Sequence, residues 1–253
     1  MNDERPTHLD LFSGIGGFAL AAKGAGCKTI AFCERDPYAK RVLAKNFPGV
    51  PTFDDVFDLD GKKFRGTDVL SGGFPCQPYS QAGKRRGSED DRAIWPEMAR
   101  IISEARPKWI LGENVLGLLS MGLDQELSHL ENLDNYCEAL VVPACAVDAF
   151  HKRDRVWIVA SDSSRLGYRG RTDEECRNAS GKFLSSEQER GEMGSEAEGR
   201  NQLFRERKIW RSESGVCRVA HGIPHRMDRL KGLGNAIVPQ VAFEFFRVMK
   251  GEA

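Results

Sequence analysis

No Cys-x-x-Cys pair occurs among the seven cysteines of this 253-residue chain, which stand at positions 27, 33, 76, 137, 145, 176 and 217. An odd, unclustered set speaks against a secreted disulfide scaffold and against a Cys-rich zinc module. No apolar run approaches the roughly 20 residues that a membrane helix needs. The charged start Met1-Asn2-Asp3-Glu4-Arg5 has no apolar stretch behind it, so no secretory signal is expected. Net charge is missing too, since 37 Lys and Arg balance 37 Asp and Glu. Phosphate contacts call for Lys and Arg, which weighs against a nucleic-acid partner. A whole-chain sum, however, cannot see clusters such as Lys84–Arg86, Lys152–Arg155 and Arg205–Arg211. The expectation is a reduced, cytoplasmic protein with no membrane segment and no metal site. Its length fits one large domain, or one domain with a small appendage, and needs no disulfide staples.

From Thr7 to about Ala160, short apolar runs alternate with helix-like stretches. Strands are expected at His8–Phe12, Thr29–Cys33, Thr67–Ser71, Trp109–Leu111 and Val156–Ala160. Amphipathic segments lie between them at Pro37–Asn46 and Trp95–Ala105, the latter with Met98, Ile101, Ile102 and Ala105 on one face. This alternation predicts an α/β fold with a mostly parallel, doubly wound sheet. Residues 161–227 are crowded with Arg, Glu, Ser and Gly and have sparse, aperiodic apolar positions, too few for a strong core. Residues 228–253 recover apolar character, with a helix expected over Val241–Met249 after Val238-Pro239-Gln240.

Asp10-Leu11-Phe12-Ser13-Gly14-Ile15-Gly16-Gly17 reads as a strand entering a glycine turn and then a helix. The glycines permit a tight turn and close approach of a ligand. Glu34, at the end of the next strand and about 20 residues further on, suits hydrogen bonding to ribose hydroxyls. Such loops also serve dinucleotides, or merely turn the chain. No Lys or Arg stands near this turn to neutralise a pyrophosphate, which favours a nucleoside without phosphates.

The next glycine-rich stretch, Ser71-Gly72-Gly73-Phe74-Pro75-Cys76-Gln77-Pro78-Tyr79-Ser80, delivers Cys76 at a strand's C-terminal end. That edge of an open α/β sheet is where ligands bind. A lone cysteine is ordinarily a small buried hydrophobe, the reading taken for Cys27, Cys33, Cys137 and Cys145. The rigid Pro-Cys-Gln-Pro frame instead marks Cys76 as a nucleophile.

With Gly112-Glu113-Asn114-Val115, Arg153-Asp154-Arg155 and Gly234-Asn235-Ala236-Ile237 following in that order, the chain resembles the DNA (cytosine-5-)-methyltransferase family of bacterial or phage type. The resemblance covers residues 7–160 and 228–250 and leaves the middle stretch unmatched. It implies a Rossmann-like S-adenosylmethionine-dependent methyltransferase core over 1–160, a short target-recognition insertion over 161–227, and a segment returning to the core over 228–253. Cys76 would add to C6 of a flipped-out cytosine, aided by any neighbouring positive field that ionises its thiol. Glu113 would grip N3 and the exocyclic amine, with Asn114 beside it. Of Arg153 and Arg155, which alternation puts on one side of a strand, one would reach O2 and the other support the site or a phosphate. The family usually carries Gln where His151 stands. S-adenosyl-L-methionine would leave as S-adenosyl-L-homocysteine from a site formed by Phe12, Ser13, Gly14, Ile15, Gly16, Gly17 and Asn235, with Glu34 on the ribose and Asp55 on the adenine amine. Phe74, Pro75, Gln77 and Ser80 would flank the base. Ser80–Gly87 resembles the loop that closes over it, with Lys84, Arg85 and Arg86 meeting phosphates.

The implied partners are double-stranded DNA and a cognate restriction endonuclease, for a monomer acting on the bacterial nucleoid. Arginines in the insertion suit guanine contacts, and Trp210 suits stacking. Three alternatives use parts of the same pattern: a tRNA cytosine-5 methyltransferase, a catalytically impaired nucleic-acid-binding relative, and a nicotinamide oxidoreductase. The last leaves Cys76, Glu113 and the Gly-Asn motif without purpose.

Overall fold

The computed structural model describes residues 3–75, 94–151, 153–164 and 226–251. Cys76, Gln77, Ser80, Lys84, Arg85 and Arg86 lie outside the described residues, as do Lys152, the Arg205–Arg211 cluster and most of the proposed insertion.

Seven strands form one sheet in the order β3-β2-β1-β4-β5-β7-β6. They are β1 (Thr7–Leu11), β2 (Lys28–Cys33), β3 (Thr52–Phe53), β4 (Val69–Gly72), β5 (Trp109–Val115), β6 (Asn135–Pro143) and β7 (Asp154–Asp162). The first five are parallel, and β7 runs antiparallel to both β5 and β6. Strand β6 has no counterpart among the sequence expectations. Its run Asn135-Tyr136-Cys137-Glu138-Ala139-Leu140 mixes apolar and charged residues because it is the sheet's edge, with exposed and half-buried positions alternating.

Helices are α1 (Gly17–Gly24), α2 (Pro37–Asn46), α3 (Ile94–Ala105), α4 (Leu118–Met121), α5 (Leu123–Asn132), α6 (Arg226–Asn235) and α7 (Pro239–Met249). Helix α2 starts where its chemistry requires. Asp36 accepts hydrogen bonds from the Tyr38 and Ala39 amides at 2.8 and 3.1 Å, and Pro37 occupies the first turn, where no amide is needed. Helix α3 buries Met98, Ile101, Ile102 and Ala105, the face its periodicity marked. Helix α7 begins at Pro239, two residues earlier than expected, because proline is itself a favoured first-turn residue.

Alternation along the strands supplies two cores. On one face Leu9, Leu11, Leu70, Ile110 and Ile158 pack with α3. On the other, Val69, Leu111 and Trp157 pack with Phe18 and Ala22 of α1 and with Ala242 and Phe246 of α7. Each fully buried Leu or Phe side chain contributes on the order of 1.5–3 kcal/mol. This second face also holds a polar row in which His8 Nε2 lies 2.7 Å from Ser71 Oγ, and that hydroxyl donates to Asp10 Oδ1 at 3.2 Å. Since the Ser71 hydrogen goes to Asp10, His8 must donate to Ser71 and accept at Nδ1 from Thr29, 3.0 Å away. Burial holds this imidazole neutral, its pKa pushed down to about 3.

One sequence expectation needs correction. Cys27 and Cys33 are buried, but Cys137 is half-buried and Cys145 exposed. Cys137 lies on the edge strand, covered on one side by α5, whose Leu127 carbonyl its thiol approaches at 3.7 Å, and Cys145 lies in the 3-10 turn Ala144–Val147 beyond it. The sheet is mostly parallel, as expected: β7 alone runs in the opposite sense, and β6, antiparallel to β7, points the same way as the first five strands.

Candidate active site

A cleft of about 550 Å³ runs across the C-terminal ends of the parallel strands. One part is lined by Phe12, Gly14 and Ile15 after β1, Glu34 and Asp36 after β2, and Asp55 and Phe57 after β3. The other is lined by Gly73, Phe74 and Pro75 after β4, Glu113 and Asn114 at the end of β5, and Arg153 and Arg155 at the start of β7. Lys231, Gly232, Gly234 and Asn235 of α6 supply a third wall. Motifs far apart in sequence therefore open into one space.

The glycine loop is held by Glu34. One carboxylate oxygen accepts the Gly14 amide and the other the Asp36 amide, both at 2.6 Å. A carboxylate has further lone pairs, so these bonds orient Glu34 without exhausting it. Phe12 and Gly14 both have positive φ, 54° and 53°, which costs a bulky residue strain that the surrounding fold must hold. Ser13, Gly16 and Gly17, named with the loop as ligand contacts, do not line the cleft. The Ser13 hydroxyl donates to the Asp10 carbonyl at 2.7 Å. Gly16 has φ 89°, and a Cβ there would stand 2.8 Å from Phe47; one at Gly17 would stand 2.7 Å from Ile237. These two glycines are required by packing behind the loop.

Glu113 is 7% exposed. Burial pushes its carboxyl above the usual range, opposed by the charges of Arg155 and Arg153. Arg155 Nε lies 3.1 Å from Glu113 Oε1, an ion-pair distance, yet that buried oxygen has no aligned hydrogen bond. The pair thus neutralises charge while leaving an acceptor unused. Gly73 lies beside the second oxygen, which a Cβ at that position would meet at 3.7 Å, an ordinary contact distance. Asn114 Nδ2 donates to the Phe74 carbonyl at 3.2 Å, fastening the chain just before Pro75.

Arg153 and Arg155 do different things. Arg155 faces Glu113, while Arg153 donates to the Gly234 and Ala236 carbonyls at 3.1 and 2.6 Å. Burial and the like charge of Arg155 lower the Arg153 pKa. The sequence reading missed Lys231, whose ammonium reaches the cleft but is tied to Asp36 at 2.7 Å. It also missed Tyr38 and Phe57 in the cleft wall. A tyrosine in the first turn of a helix that begins at the sheet's rim was the available signal. Among the described residues, no group of three His, Cys, Asp or Glu side chains is placed to hold a metal ion, and no helix is long and apolar enough to cross a membrane.

The C-5 cytosine-specific DNA methylase family matches residues 7–206. The chain is 40% identical over 162 residues to the type II methyltransferase M.Eco47II of Escherichia coli, covering 61% of this chain and 39% of that protein. It is 35% identical over 156 residues to M.HhaI of Haemophilus parahaemolyticus, covering 60% and 47%. The chain thus spans less than half the length of these curated relatives. A Spodoptera frugiperda DNMT2 variant shares the fold, with a TM-score of 0.56 at 22% identity over 66% of this chain and 53% of that one. With the family's match spanning most of its length, this chain belongs to the C-5 cytosine-specific DNA methylases.

Proposed function

We propose that the chain transfers a methyl group to C5 of a cytosine flipped out of double-stranded DNA, using Cys76 as the nucleophile. The observation that carries this reading is the buried Glu113 carboxylate with an unused acceptor, opening into the same cleft as the Glu34-braced glycine loop. The exocyclic amine of a cytosine can donate to this carboxyl, and N3 can accept from it in the protonated form that burial favours.

The residues present fit S-adenosyl-L-methionine. All of them line the cleft: Glu34 would take the ribose hydroxyls, Asp55 the adenine amine, and Phe12, Gly14, Ile15 and Asn235 would hold the remainder. Among the described residues, the one lysine that lines the cleft is committed to Asp36. When bound, this cofactor supplies an electrophilic methyl group.

In this reading Glu113 enters in the protonated form that burial favours; the Cys76 thiolate forms a bond to C6 while Glu113 delivers its proton to N3, and C5 becomes nucleophilic. Arg155 stabilises the base at O2 and keeps Glu113 charge-compensated. After methylation the C5 proton passes to water, the Cys76 thiolate departs as the C5–C6 double bond re-forms, and N3 returns its proton to Glu113, which restores the aromatic ring and the enzyme. Flipping costs a few kcal/mol, offset by contacts from the basic stretch Lys84-Arg85-Arg86. The division into a core (1–160), a recognition insertion (161–227) and a returning segment (228–253) belongs to this reading, as do a monomeric state, action at the bacterial nucleoid and a cognate restriction endonuclease.

Bisulfite sequencing of DNA and tRNA from cells expressing the chain tests it. The expected result is 5-methylcytosine in DNA at one short motif, lost with Cys76→Ser. Soluble expression with no gain in DNA methylation overturns the proposal, and methylation confined to tRNA replaces the substrate.

A further inference from the structure

Each terminal nitrogen of Arg153 donates to a backbone carbonyl, while its buried Nε has no hydrogen-bond partner among the described residues. The acceptors are the carbonyls of Gly234 and Ala236, the two residues that bracket Asn235. These partners lie beyond the insertion, so the contact ties together two distant parts of the chain. Residues at the end of α6 have carbonyls without partners inside the helix, where a cation is favoured. A guanidinium adds something an ammonium lacks: two donors in one rigid plane, which fix the spacing and orientation of two acceptors at once.

We propose that Arg153 is a positioning residue for the cofactor, setting Asn235 in the cleft wall rather than touching the target base. The inference rests on the cofactor reading above. Two other contacts dock α6 on the glycine-loop side: Lys231 pairs with Asp36 at 2.7 Å, and Gly232 packs so closely that a Cβ would lie 3.1 Å from Ile15. Arg153 comes from the opposite side, from the residue preceding β7. It therefore connects the rim strand that carries Arg155 to the wall that carries Asn235. The two arginines divide the work, Arg155 serving the base and Arg153 the cofactor.

Calorimetric titration of the full chain with S-adenosyl-L-homocysteine tests the assignment. Arg153→Ala should raise Kd about tenfold or more, the loss expected for a charge-assisted hydrogen bond. Arg153→Lys should recover part of this, because an ammonium can serve one carbonyl. In the Asn235→Ala background, Arg153→Ala should add no more than about twofold, since its effect runs through Asn235. Arg155→Ala should weaken binding far less than Arg153→Ala. Wild-type affinity in both Arg153 variants overturns the inference, as do equal losses in Arg153→Ala and Arg155→Ala or full additivity with Asn235→Ala. If Arg153→Ala does not fold, the Arg153→Lys variant and its cycle with Asn235→Ala decide alone. A wild-type chain that binds no cofactor is a different failure, since it removes the cofactor reading itself.

Discussion

Asn114 reaches from the end of β5 to the carbonyl of Phe74 at the exit of β4, 3.2 Å away, while its own Oδ1 accepts the Val115 amide at 2.8 Å. One side chain thus joins the strand carrying Glu113 to the segment leading to Cys76. Asn114→Ala leaves a buried carbonyl without its donor, a cost of about 1–3 kcal/mol. Methyl transfer should fall further, on the order of a hundredfold, because small displacements of reacting groups are costly. Denaturant unfolding and single-turnover methylation on the same variant separate the two effects.

A methyl group at Gly17 has no room, since it would lie 2.7 Å from Ile237 Cγ1. Gly17→Ala should destabilise by about 1–3 kcal/mol through overpacking. Ile237→Ala in the same chain should relieve the clash and return part of that stability. Thermal unfolding of the two single variants and the double variant measures the coupling, and additive losses would show that the glycine serves something other than packing.

The buried row of His8, Ser71 and Asp10 depends on one hydroxyl. Ser71→Ala strands the His8 Nε2–H and Asp10 Oδ1 together, each costing about 1–3 kcal/mol if left unpaired. A loss of that size in denaturant unfolding is expected; a change under 0.5 kcal/mol, the usual range for surface substitutions, would refute the deduced proton arrangement.

Glu126 is buried on α5 with its Oε2 unpartnered, and burial raises its pKa from 4.5 to about 8. The folded chain then binds a proton that the unfolded chain releases between these values. Stability from this group is complete below about 4.5 and is lost as pH rises toward 8. Glu126→Gln should flatten the decline in unfolding midpoint between pH 5 and 8, measured against wild type in matched buffers.

Much of the architecture was legible because its signals are local. Helix α2 spans the Pro37–Asn46 segment expected from its amphipathic pattern, and the apolar face of α3 followed from its period. Ser13, Gly16 and Gly17 show where local reading stops. Their loop looks uniform in sequence, yet Gly14 faces the cleft while Gly16 and Gly17 back onto Phe47 and Ile237. Only tertiary packing distinguishes them. Likewise, nothing near Arg153 could reveal that its partners are Gly234 and Ala236. Strand β6 escaped because an edge strand need not be apolar on either face.

The reversed direction of β7 sets a length requirement on the chain. Arg155 pairs with Val115 at the cleft, whereas Ser161 pairs with Trp109, where β5 begins. A nine-residue strand covers about 30 Å, so the backbone leaves β7 at the far edge of the sheet from the cleft. It must nevertheless re-enter at α6, whose Asp228 and Lys231 stand on the cleft. The described residues Ser164 and Asp228 are thus separated by the sheet's height, a journey of about 30 Å. At 3.3–3.6 Å per extended residue, roughly nine residues are consumed by that journey alone. A shortened version of the protein that trims the chain between Ser164 and Asp228 below that length would pull α6 away from Arg153.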